Sequence, residues 1–209
     1  MTANQVLTPE QLQSHIDKLP RIDIAHLPTP LEEMPRLTER LDGPNIWIKR
    51  EDMTGLAYGG NKARHYEFEM PHVAEAGYDV MINIMDYHSN NARMTAAAAN
   101  KIGIRYILVL KNAANRKVQG NLLIDKILGA EIHLLDEFQS GDADGYATKL
   151  KKELEAEGHK PYLIQDYLFP RIVGMVGFVD AGIELREQIE AANLKNVHII
   201  GVAGRSLCG

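Results

Sequence analysis

The sequence predicts an α/β fold built on parallel, doubly wound sheets with helices on both faces. Strand-like and helix-like segments alternate from about residue 79 onwards, an order that favours parallel strands joined by helical crossovers. The strand-like segments, such as DVMINIM and RYILVL, are apolar almost throughout. Such runs are typical of strands that are covered on both faces rather than on one.

The first part of the chain predicts a helix, a proline-rich stretch and a strand. A threonine–proline pair opens TPEQLQSHIDKL and predicts the N-cap and first residue of a helix. Three prolines in HLPTPLEEMPRL predict an extended or turning path. The segment NIWIKR, residues 45–50, predicts a strand. A further helix is expected to begin near Lys62, and Pro71 is expected to kink or end it.

The alternating part then follows in order. The predicted elements are a strand DVMINIM, a helix NARMTAAAANKIG ending at Gly103, a strand RYILVL, a helix RKVQGNLLIDKILG ending at Gly129, and a strand EIHLL. They continue with a charged helix over about 142–157, a strand PYLIQ, a longer helix over about 171–192 and a strand VHIIGV.

Composition narrows the class of protein. The 209 residues carry a net charge of −5 with no basic tail, which argues against a nucleic-acid surface. The single cysteine, Cys208, excludes an internal disulfide and fits a reducing compartment. We find no apolar signal core, no run of membrane-spanning length and no histidine spacing of a zinc motif. We therefore expect a cytoplasmic protein without nucleic-acid, membrane or metal partners.

The segment TGLAYGGNKARHYEF is the first candidate site. Gly59 and Gly60 permit backbone conformations closed to other residues and let a ligand approach closely. A helix that begins near Asn61 would offer free N–H groups to an anion, and the amine of Lys62 suits imine formation there. The alternative is a tight turn in which Lys62 has no chemical role, and the local pattern alone favours this alternative.

The segment YHSNNARMTAAAANK is the second candidate. Ser89, Asn90 and Asn91 stand between a strand and an alanine-rich helix, where N-capping is their default role. They also lie at the carboxyl end of that strand, where ligands bind in parallel sheets. The last predicted strand runs into the turn AGRSLCG at the same kind of edge. Because that strand would lack a covering helix, we expect a fragment or a subunit that another chain completes.

These motifs together resemble a known family. The series LPTPLEEMPRLTERLDGPNIWIKREDMTGLAYGGNKARHYEF closely resembles the start of the D-cysteine desulfhydrase, L-cysteate sulfo-lyase and 1-aminocyclopropane-1-carboxylate deaminase family. These are pyridoxal-phosphate enzymes of the tryptophan-synthase-β fold type. The resemblance continues through SNNARMTAAAANKIGI, QGNLLIDKILGAEI and GMVGFVDAGIEL, from about His26 to the end. It implies a complete smaller cofactor-facing domain at 75–168, and a larger domain present only in part at 1–74 and 169–209.

The resemblance also implies roles for individual residues. Lys62 matches the lysine that holds pyridoxal 5′-phosphate as a Schiff base, and Ser89 matches the serine that faces the substrate. Asn90 matches the asparagine that bonds the pyridine 3-oxygen. His65 stands where the family has a phosphate-binding lysine. The residues of the turn AGRSLCG expected at the phosphate are Gly204, Arg205 and Ser206.

The chain departs from the family pattern in several places. Asn91 replaces a histidine, DYLFPR replaces a glycine-rich segment, and Leu207 and Cys208 add bulk to the phosphate turn. The C-terminal portion of the family is missing, so the resemblance implies a C-terminally truncated member.

Two function classes follow from the resemblance. The first is a pyridoxal-phosphate-dependent lyase or deaminase of a small amino acid, which eliminates a sulfur leaving group to give pyruvate and ammonia. Such an enzyme would act as a homo-oligomer or with a complementing chain. The second class is a non-catalytic, degenerate or split subunit of the same fold that needs a partner chain. The substrate, its chirality and the leaving group stay open.

Overall fold

The computed structural model describes residues 7–114 and 116–201. Its helices are α1 (Pro9–Ile16), α2 (Pro35–Leu41), α3 (Lys62–Glu75), α4 (Asn90–Ile102), α5 (Asn121–Ile127), α6 (Glu137–Ser140), α7 (Ala143–Ala156), α8 (Leu168–Gly174) and α9 (Val176–Ala191). Its strands are β1 (Leu31–Glu33), β2 (Trp47–Lys49), β3 (Val80–Asp86), β4 (Arg105–Lys111), β5 (Glu131–Leu134) and β6 (Pro161–Leu163). None of these helices is long and apolar enough to cross a membrane.

A four-stranded parallel sheet forms the centre of the fold, in the order β5–β4–β3–β6. The longest pairing joins β3 and β4 over seven residues each, from Val80 opposite Arg105 to Asp86 opposite Lys111. The carboxyl ends of both strands therefore meet at one edge of the sheet. The predicted α/β class with a parallel sheet is confirmed, whereas the division into two domains stays a prediction.

Both faces of the sheet are covered, as the apolar strand runs predict. Val80 and Ile82 point into a core that they share with Ala147 and Leu154 of α7. Met81, between them in sequence, belongs to the opposite core, which also contains residues of α3 and α4. Successive side chains of a strand point to opposite faces, so a strand buried on both sides is apolar at most positions; the buried Asn83 of β3 is an exception whose amide donates to Thr95.

Helix α3 continues through Pro71 to Glu75, so the proline does not end the helix. Proline has no N–H and cannot bond the carbonyl four residues earlier, which here belongs to Glu67. Ile22 donates its backbone N–H to that carbonyl at 3.0 Å. The N-terminal segment thus satisfies the group that the proline leaves open, and this long-range contact was not visible in the local pattern.

Two other element boundaries differ from the prediction. Helix α5 begins only after Gly120, whose φ of +57° interrupts the chain direction, so residues 116–119 are not helical. The predicted helix over 171–192 is two helices that meet at Met175, where the backbone N–H bonds Ile172, three residues back. In the proline-rich stretch, β1 is extended as predicted, and α2 begins at Pro35.

The predicted strand VHIIGV is wrong for its described part, residues 197–201, which form no strand. A strand needs a neighbour that pairs with its N–H and C=O groups, and no described strand runs beside this segment. Ile199 and Ile200 are accordingly 71% and 95% exposed. Their apolar side chains, which predicted burial in a sheet, are not covered by any part of the chain that the structure describes.

Candidate active site

The paired glycines form a turn that no other residue type would fit. A Cβ on Gly59 would lie 1.8 Å from the carbonyl oxygen of Asp52, and a Cβ on Gly60 would lie 2.9 Å from Met94 Sδ in α4. Their φ angles of +75° and +134° also disfavour side chains. Thr54 closes the turn, because its hydroxyl accepts from the Gly60 N–H and donates to the Gly60 carbonyl, both at 2.8 Å.

Lys62 is the first residue of α3, directly after this turn. Its side chain is half-buried, and Nζ lies 5.6 Å from the ring centroid of Phe178 in α9, within the range of a cation–π contact. Tyr66, one helical turn later on the same face, bonds Asn91 at 2.8 Å and Thr95 at 2.5 Å through its hydroxyl. The start of α3 is therefore packed against the start of α4.

Ser89 and Asn90 open α4 at the carboxyl end of β3. Ser89 is the N-cap, since its Oγ accepts from the Ala92 N–H at 3.2 Å, and it also lies 3.2 Å from Met85 Sδ. The capping interpretation of Ser89 is thus confirmed, while its role towards a substrate stays a prediction. Asn90 accepts a hydrogen bond on Oδ1 from Asn121 Nδ2 at 3.0 Å.

Arg93 and Asn121 connect the glycine turn with the turn that carries Ser89. The guanidinium of Arg93, 8% exposed, donates to the carbonyls of Ala57 and Gly59, the latter at 3.2 Å. It also donates to Asn121 Oδ1 at 3.1 Å, and Asn121 Nδ2 donates to the His88 carbonyl at 2.8 Å. One side-chain network therefore fixes both candidate segments relative to each other.

The sequence reasoning missed both residues of this network. Arg93 had a visible indication, because a charged residue within an alanine-rich buried helix must find partners. Asn121 had a weaker one, a polar residue directly after a glycine at the start of a helix.

A buried carboxyl lies near this network. Asp125 in α5 is 1% exposed, and its Oδ1 has no hydrogen-bond partner among the described residues. Burial raises the pKa of Asp125 to about 7, although the charge of Arg93 acts in the opposite direction. Burial lowers the pKa of Arg93 in turn, against the attraction of Asp125. The two charges therefore share an environment that disfavours both.

His65 occupies a buried position one turn after Lys62. Its Nε2 lies 2.7 Å from one carboxylate oxygen of Glu69, and the other oxygen accepts from the hydroxyl of Tyr162 at 2.8 Å. Gly174 packs on the imidazole so closely that a Cβ there would lie 2.6 Å from it. His65 Nδ1 is buried without a partner among the described residues. The predicted phosphate contact of His65 stays a prediction.

The start of α3 is also anchored by the contacts of a buried arginine. Arg64, 1% exposed, bonds Glu51 at 2.8 Å, Glu184 of α9 at 2.9 Å and Thr29 at 3.1 Å. Burial raises the pKa of Glu184, but hydrogen bonds from Arg64 and Lys49 outweigh it and hold that pKa below its usual value. Arg64, which directly precedes His65 and lies two residues after Lys62, is therefore held by three separate segments of the chain.

Gly204, Arg205 and Ser206 lie outside the described residues. A cavity of about 420 Å³ opens where β3 and β4 end, and Ser89 lines it together with Lys111 and Arg116. Within residues 7–114 and 116–201 no three His, Cys, Asp or Glu side chains group in a way that would hold a metal ion.

Comparison with known proteins supplies the family. Residues 22–207 match the family described as pyridoxal-phosphate dependent enzyme. A putative 1-aminocyclopropane-1-carboxylate deaminase of Pyrococcus furiosus is 35% identical over 202 residues, which cover 95% of this chain and 60% of that protein. A D-cysteine desulfhydrase of Salmonella newport is 35% identical over 181 residues, 84% of this chain and 54% of that protein.

A plant relative and solved structures agree with this. The bifunctional mitochondrial D-cysteine desulfhydrase/1-aminocyclopropane-1-carboxylate deaminase of Arabidopsis thaliana is 34% identical over 191 residues, 87% of this chain and 47% of that protein. The crystal structure of an ACC deaminase homologue superposes with a TM-score of 0.74 at 33% identity, covering 91% of this chain and 55% of that one. Diaminopropionate ammonia lyase of Escherichia coli, at 16% identity and a TM-score of 0.61, shares the fold.

The chain thus spans about half to three fifths of the length of the relatives it matches. The match nevertheless covers nearly all of the chain, and it includes the turn before Lys62 and the turn of Ser89 and Asn90 that the Arg93 network joins. On this identity and coverage, the chain belongs to the family of pyridoxal-phosphate-dependent enzymes.

Proposed function

We propose that this protein is a pyridoxal-phosphate-dependent lyase or deaminase of small amino acids. The reaction we propose is elimination of a sulfur substituent from the substrate β-carbon, which releases sulfide or sulfite; water then hydrolyses the remaining aminoacrylate to pyruvate and ammonia. The observation that carries the proposal is the position of Lys62, half-buried at the first residue of α3 behind a turn tied to α4. Relatives named D-cysteine desulfhydrase and 1-aminocyclopropane-1-carboxylate deaminase support the reaction class.

Residues of this chain would hold the cofactor at several points. Lys62 Nζ would form the Schiff base, and His65 Nδ1, buried without a partner among the described residues, would meet the phosphate. Gly204, Arg205 and Ser206 are proposed to complete the phosphate site. When bound, pyridoxal phosphate supplies an electron sink that stabilises negative charge at the substrate α-carbon.

Asn90 is oriented for its proposed role by Asn121. An amide side chain has one acceptor oxygen and one donor nitrogen. Because Asn121 Nδ2 donates to Asn90 Oδ1 at 3.0 Å, the oxygen of Asn90 is engaged and its Nδ2 is the group left to donate. A donor is what the 3-oxygen of the cofactor ring requires.

Lys62 and Ser89 would carry the chemistry. The amine of Lys62 would take the proton from the substrate Cα as a general base. Ser89, which lines the cavity at the carboxyl ends of β3 and β4, would bind the substrate through its hydroxyl. Phe178 forms an apolar neighbour of the Lys62 amine, which limits the water around it.

The second candidate function is a non-catalytic subunit of the same fold. The departures at two positions favour it: His65 is bound to Glu69, and Asn91 is bound to Tyr66, where relatives would use other residues. We also propose that the active assembly is a homo-oligomer or contains a complementing chain, that it is cytoplasmic, and that residues 1–74 and 169–209 contribute to the larger domain.

Absorption spectroscopy separates these candidates. Purified protein mixed with pyridoxal phosphate should develop the visible band of a lysine-bound cofactor. Lys62→Ala should lose this band. Lys149→Ala should keep it, because Lys149 is an exposed residue of α7 that forms a surface ion pair with Glu153. A band without pyruvate release from either enantiomer of cysteine or cysteate would favour the non-catalytic subunit, and an unchanged band in Lys62→Ala would contradict the proposal.

A further inference from the structure

Asp125 is a buried carboxyl that has no part in the chemistry proposed above. It lies in α5 one helical turn after Asn121, and residues four apart share one face of a helix. On that face Asn121 binds Nε of Arg93 at 3.1 Å. Asp125 is 1% exposed, and its Oδ1 has no hydrogen-bond partner among the described residues. Because a buried oxygen without a partner costs free energy, its presence needs an explanation.

The guanidinium of Arg93 is buried without a carboxylate in contact. The acceptors that it reaches among the described residues are neutral oxygens, namely the carbonyls of Ala57 and Gly59 and the side-chain amide of Asn121. Such acceptors satisfy the N–H groups, but a buried charge also needs a compensating charge. In the part of the chain that the structure describes, Asp125 is the acidic group whose charge acts on Arg93.

The surroundings of Asp125 offer no other charge for this task. Arg93 of α4 and Tyr106 of β4 are the titratable groups that interact with it from the described elements packed against it. Tyr106 is neutral, because burial raises the pKa of its hydroxyl well above the ordinary value. Lys126, the next residue of α5, is exposed to solvent. The pair of Asp125 and Arg93 is therefore the charged unit between α5 and the start of α4.

The turn that Arg93 binds is strained. Ala57 and Tyr58 have φ angles of +43° and +69°, a conformation that costs energy for residues with a side chain. Tyr58 is 80% exposed, so the packing of its ring contributes little to holding the turn. The bonds from Arg93 reach the carbonyls on either side of Tyr58. A displaced guanidinium would therefore release the segment that leads into Lys62.

We infer that the carboxylate of Asp125 is the counter-charge that keeps the Arg93 guanidinium on the strained turn, which makes Asp125 a positioning residue for Lys62. It acts through Arg93 and touches neither the cofactor nor the substrate. The consequence for the cofactor rests on the proposed function, whereas the consequence for the turn does not. A buried carboxylate that costs stability fits a residue kept for the site, because activity and stability often conflict.

Hydrogen exchange in the cofactor-free protein tests the turn directly. The amides of Gly59 and Gly60 form hydrogen bonds inside the turn, so they exchange when it opens. Burial raises the pKa of Asp125 to about 7, so the carboxyl is charged at pH 8 and protonated at pH 5. After correction for intrinsic exchange rates, protection of these amides should be about 5- to 20-fold higher at pH 8. Asp125→Asn should show the lower protection at both pH values.

Amides at the centre of β4 provide the reference in the same experiment. Ile107 and Leu108 are fully buried in the sheet, where exchange requires global unfolding. The fold retains a proton on Asp125 that the unfolded chain releases, so their protection should fall from pH 5 to pH 8. At pH 8, Asp125→Asn should raise protection in β4 and lower it in the turn. A merely structural role of Asp125 would change both in the same direction.

Two further variants show whether the effect passes through Arg93. In Arg93→Gln the turn has already lost the guanidinium, so adding Asp125→Asn should cause no further loss of protection in the turn. Asp166→Asn replaces an exposed carboxyl paired with Lys151 and should leave the turn unchanged. Additive losses in the double variant, or an equal loss in Asp166→Asn, would overturn the inference. So would turn protection that is independent of pH in the unaltered protein.

Spectrophotometric titration with pyridoxal phosphate then tests the link to Lys62. At pH 8 the affinity of Asp125→Asn for the cofactor should be about 5- to 20-fold below that of the unaltered protein. Unchanged affinity together with a loosened turn would contradict the positioning of Lys62. If the turn responds as expected but the unaltered protein forms no lysine-bound cofactor band, the proposed function fails, and the role of Asp125 towards the turn is sustained.

Discussion

Single hydrogen bonds decide how the candidate site is arranged. Asn90 is exposed at the start of α4, and an exposed amide can adopt either orientation. The bond from Asn121 selects one of them, and Arg93 holds Asn121 in turn at 3.1 Å. Asn121 is therefore a positioning residue in this account, since it acts on the cofactor only through Asn90.

Asn121→Ala should weaken the binding of pyridoxal phosphate and shift the visible band, because Asn90 loses the bond that directs its amide. We expect a fall in cofactor affinity of about tenfold, the effect of one hydrogen bond of roughly 1 kcal/mol or slightly more. Spectrophotometric titration with the cofactor measures both changes.

Asn100→Ala is the matched control for this variant. Asn100 also links α4 to α5, because its Nδ2 donates to the Leu128 carbonyl at 2.8 Å, but it does so at the far end of both helices. An equal loss of cofactor affinity in the two variants would show that Asn121 acts through general helix packing, which would contradict a positioning role.

The buried carboxyl of Asp125 leads to a separate prediction, which concerns how the stability of the fold depends on pH. Because burial raises its pKa to about 7 in the folded protein, the fold retains a proton that an unfolded chain releases near pH 4. The free energy of unfolding should therefore fall as the pH rises from about 4 to about 7 and stay level above that. Asp125→Asn removes this ionisation and should be more stable than the unaltered protein at pH 8, by about 1–4 kcal/mol.

Urea denaturation at pH 5 and pH 8 measures this difference. Asp166→Asn, which replaces an exposed carboxyl paired with Lys151, should keep the decline between these pH values. The account of Asp125 is wrong if its Asn variant shows the same decline as the unaltered protein.

At the scale of elements, the turn before Lys62 is the most constrained segment of the site. All four residues at positions 57–60 have positive φ angles, a conformation that costs energy for Ala57 and Tyr58. The bonds from Arg93 to the carbonyls of Ala57 and Gly59 hold the turn in this form. Strain of this kind persists only where surrounding contacts enforce it, and here it directs the chain into α3.

Gly59→Ala should disrupt this turn more than its φ angle alone would predict. The added Cβ would meet the Asp52 carbonyl at 1.8 Å, a backbone atom that cannot move aside. Gly77→Ala provides the control, since Gly77 has a similar φ of +72° but an added Cβ would have no heavy atom of the described residues within 4 Å. We expect the Gly59 variant to lose at least about 2 kcal/mol more than the Gly77 variant.

Thermal or urea unfolding of both variants measures the difference in stability, and cofactor titration measures its effect on the site. Equal stability losses would mean that the close approach to Asp52 is relaxed in solution. In that case the paired glycines would not be required to bring Lys62 to its place.

The elements that the sequence predicts well are those with strong local patterns. Helix α4 follows from Ser89 as its cap, its buried alanines and Gly103 as its stop, and the sheet follows from the mainly apolar runs of β3 and β4. The failures involve distant partners. Ile22 rescues the helix at Pro71, and no local pattern reveals that. The bonds of Asn121 likewise depend on the start of α5 meeting residues 88–93, which are distant in sequence.

At the scale of the whole molecule, the family relation and the geometry of the site support different conclusions. The family supplies the cofactor and the identity of Lys62 as the lysine to test, which the local pattern alone left as the less favoured interpretation. The geometry supplies the network of Arg93 and Asn121, which joins the turn before Lys62 to the turn of Ser89 and Asn90. The chain covers only part of its relatives' length, so the assembly that acts on substrate stays a proposal.

The central claim is that the amine of Lys62 forms the covalent link to the cofactor. Borohydride reduction of the protein after incubation with pyridoxal phosphate, followed by peptide mass spectrometry, tests it most directly. We predict one pyridoxyl-phosphate group on the peptide that contains Lys62, and none after Lys62→Ala. Labelling of other lysines in its place, or no stable label at all, would contradict the claim.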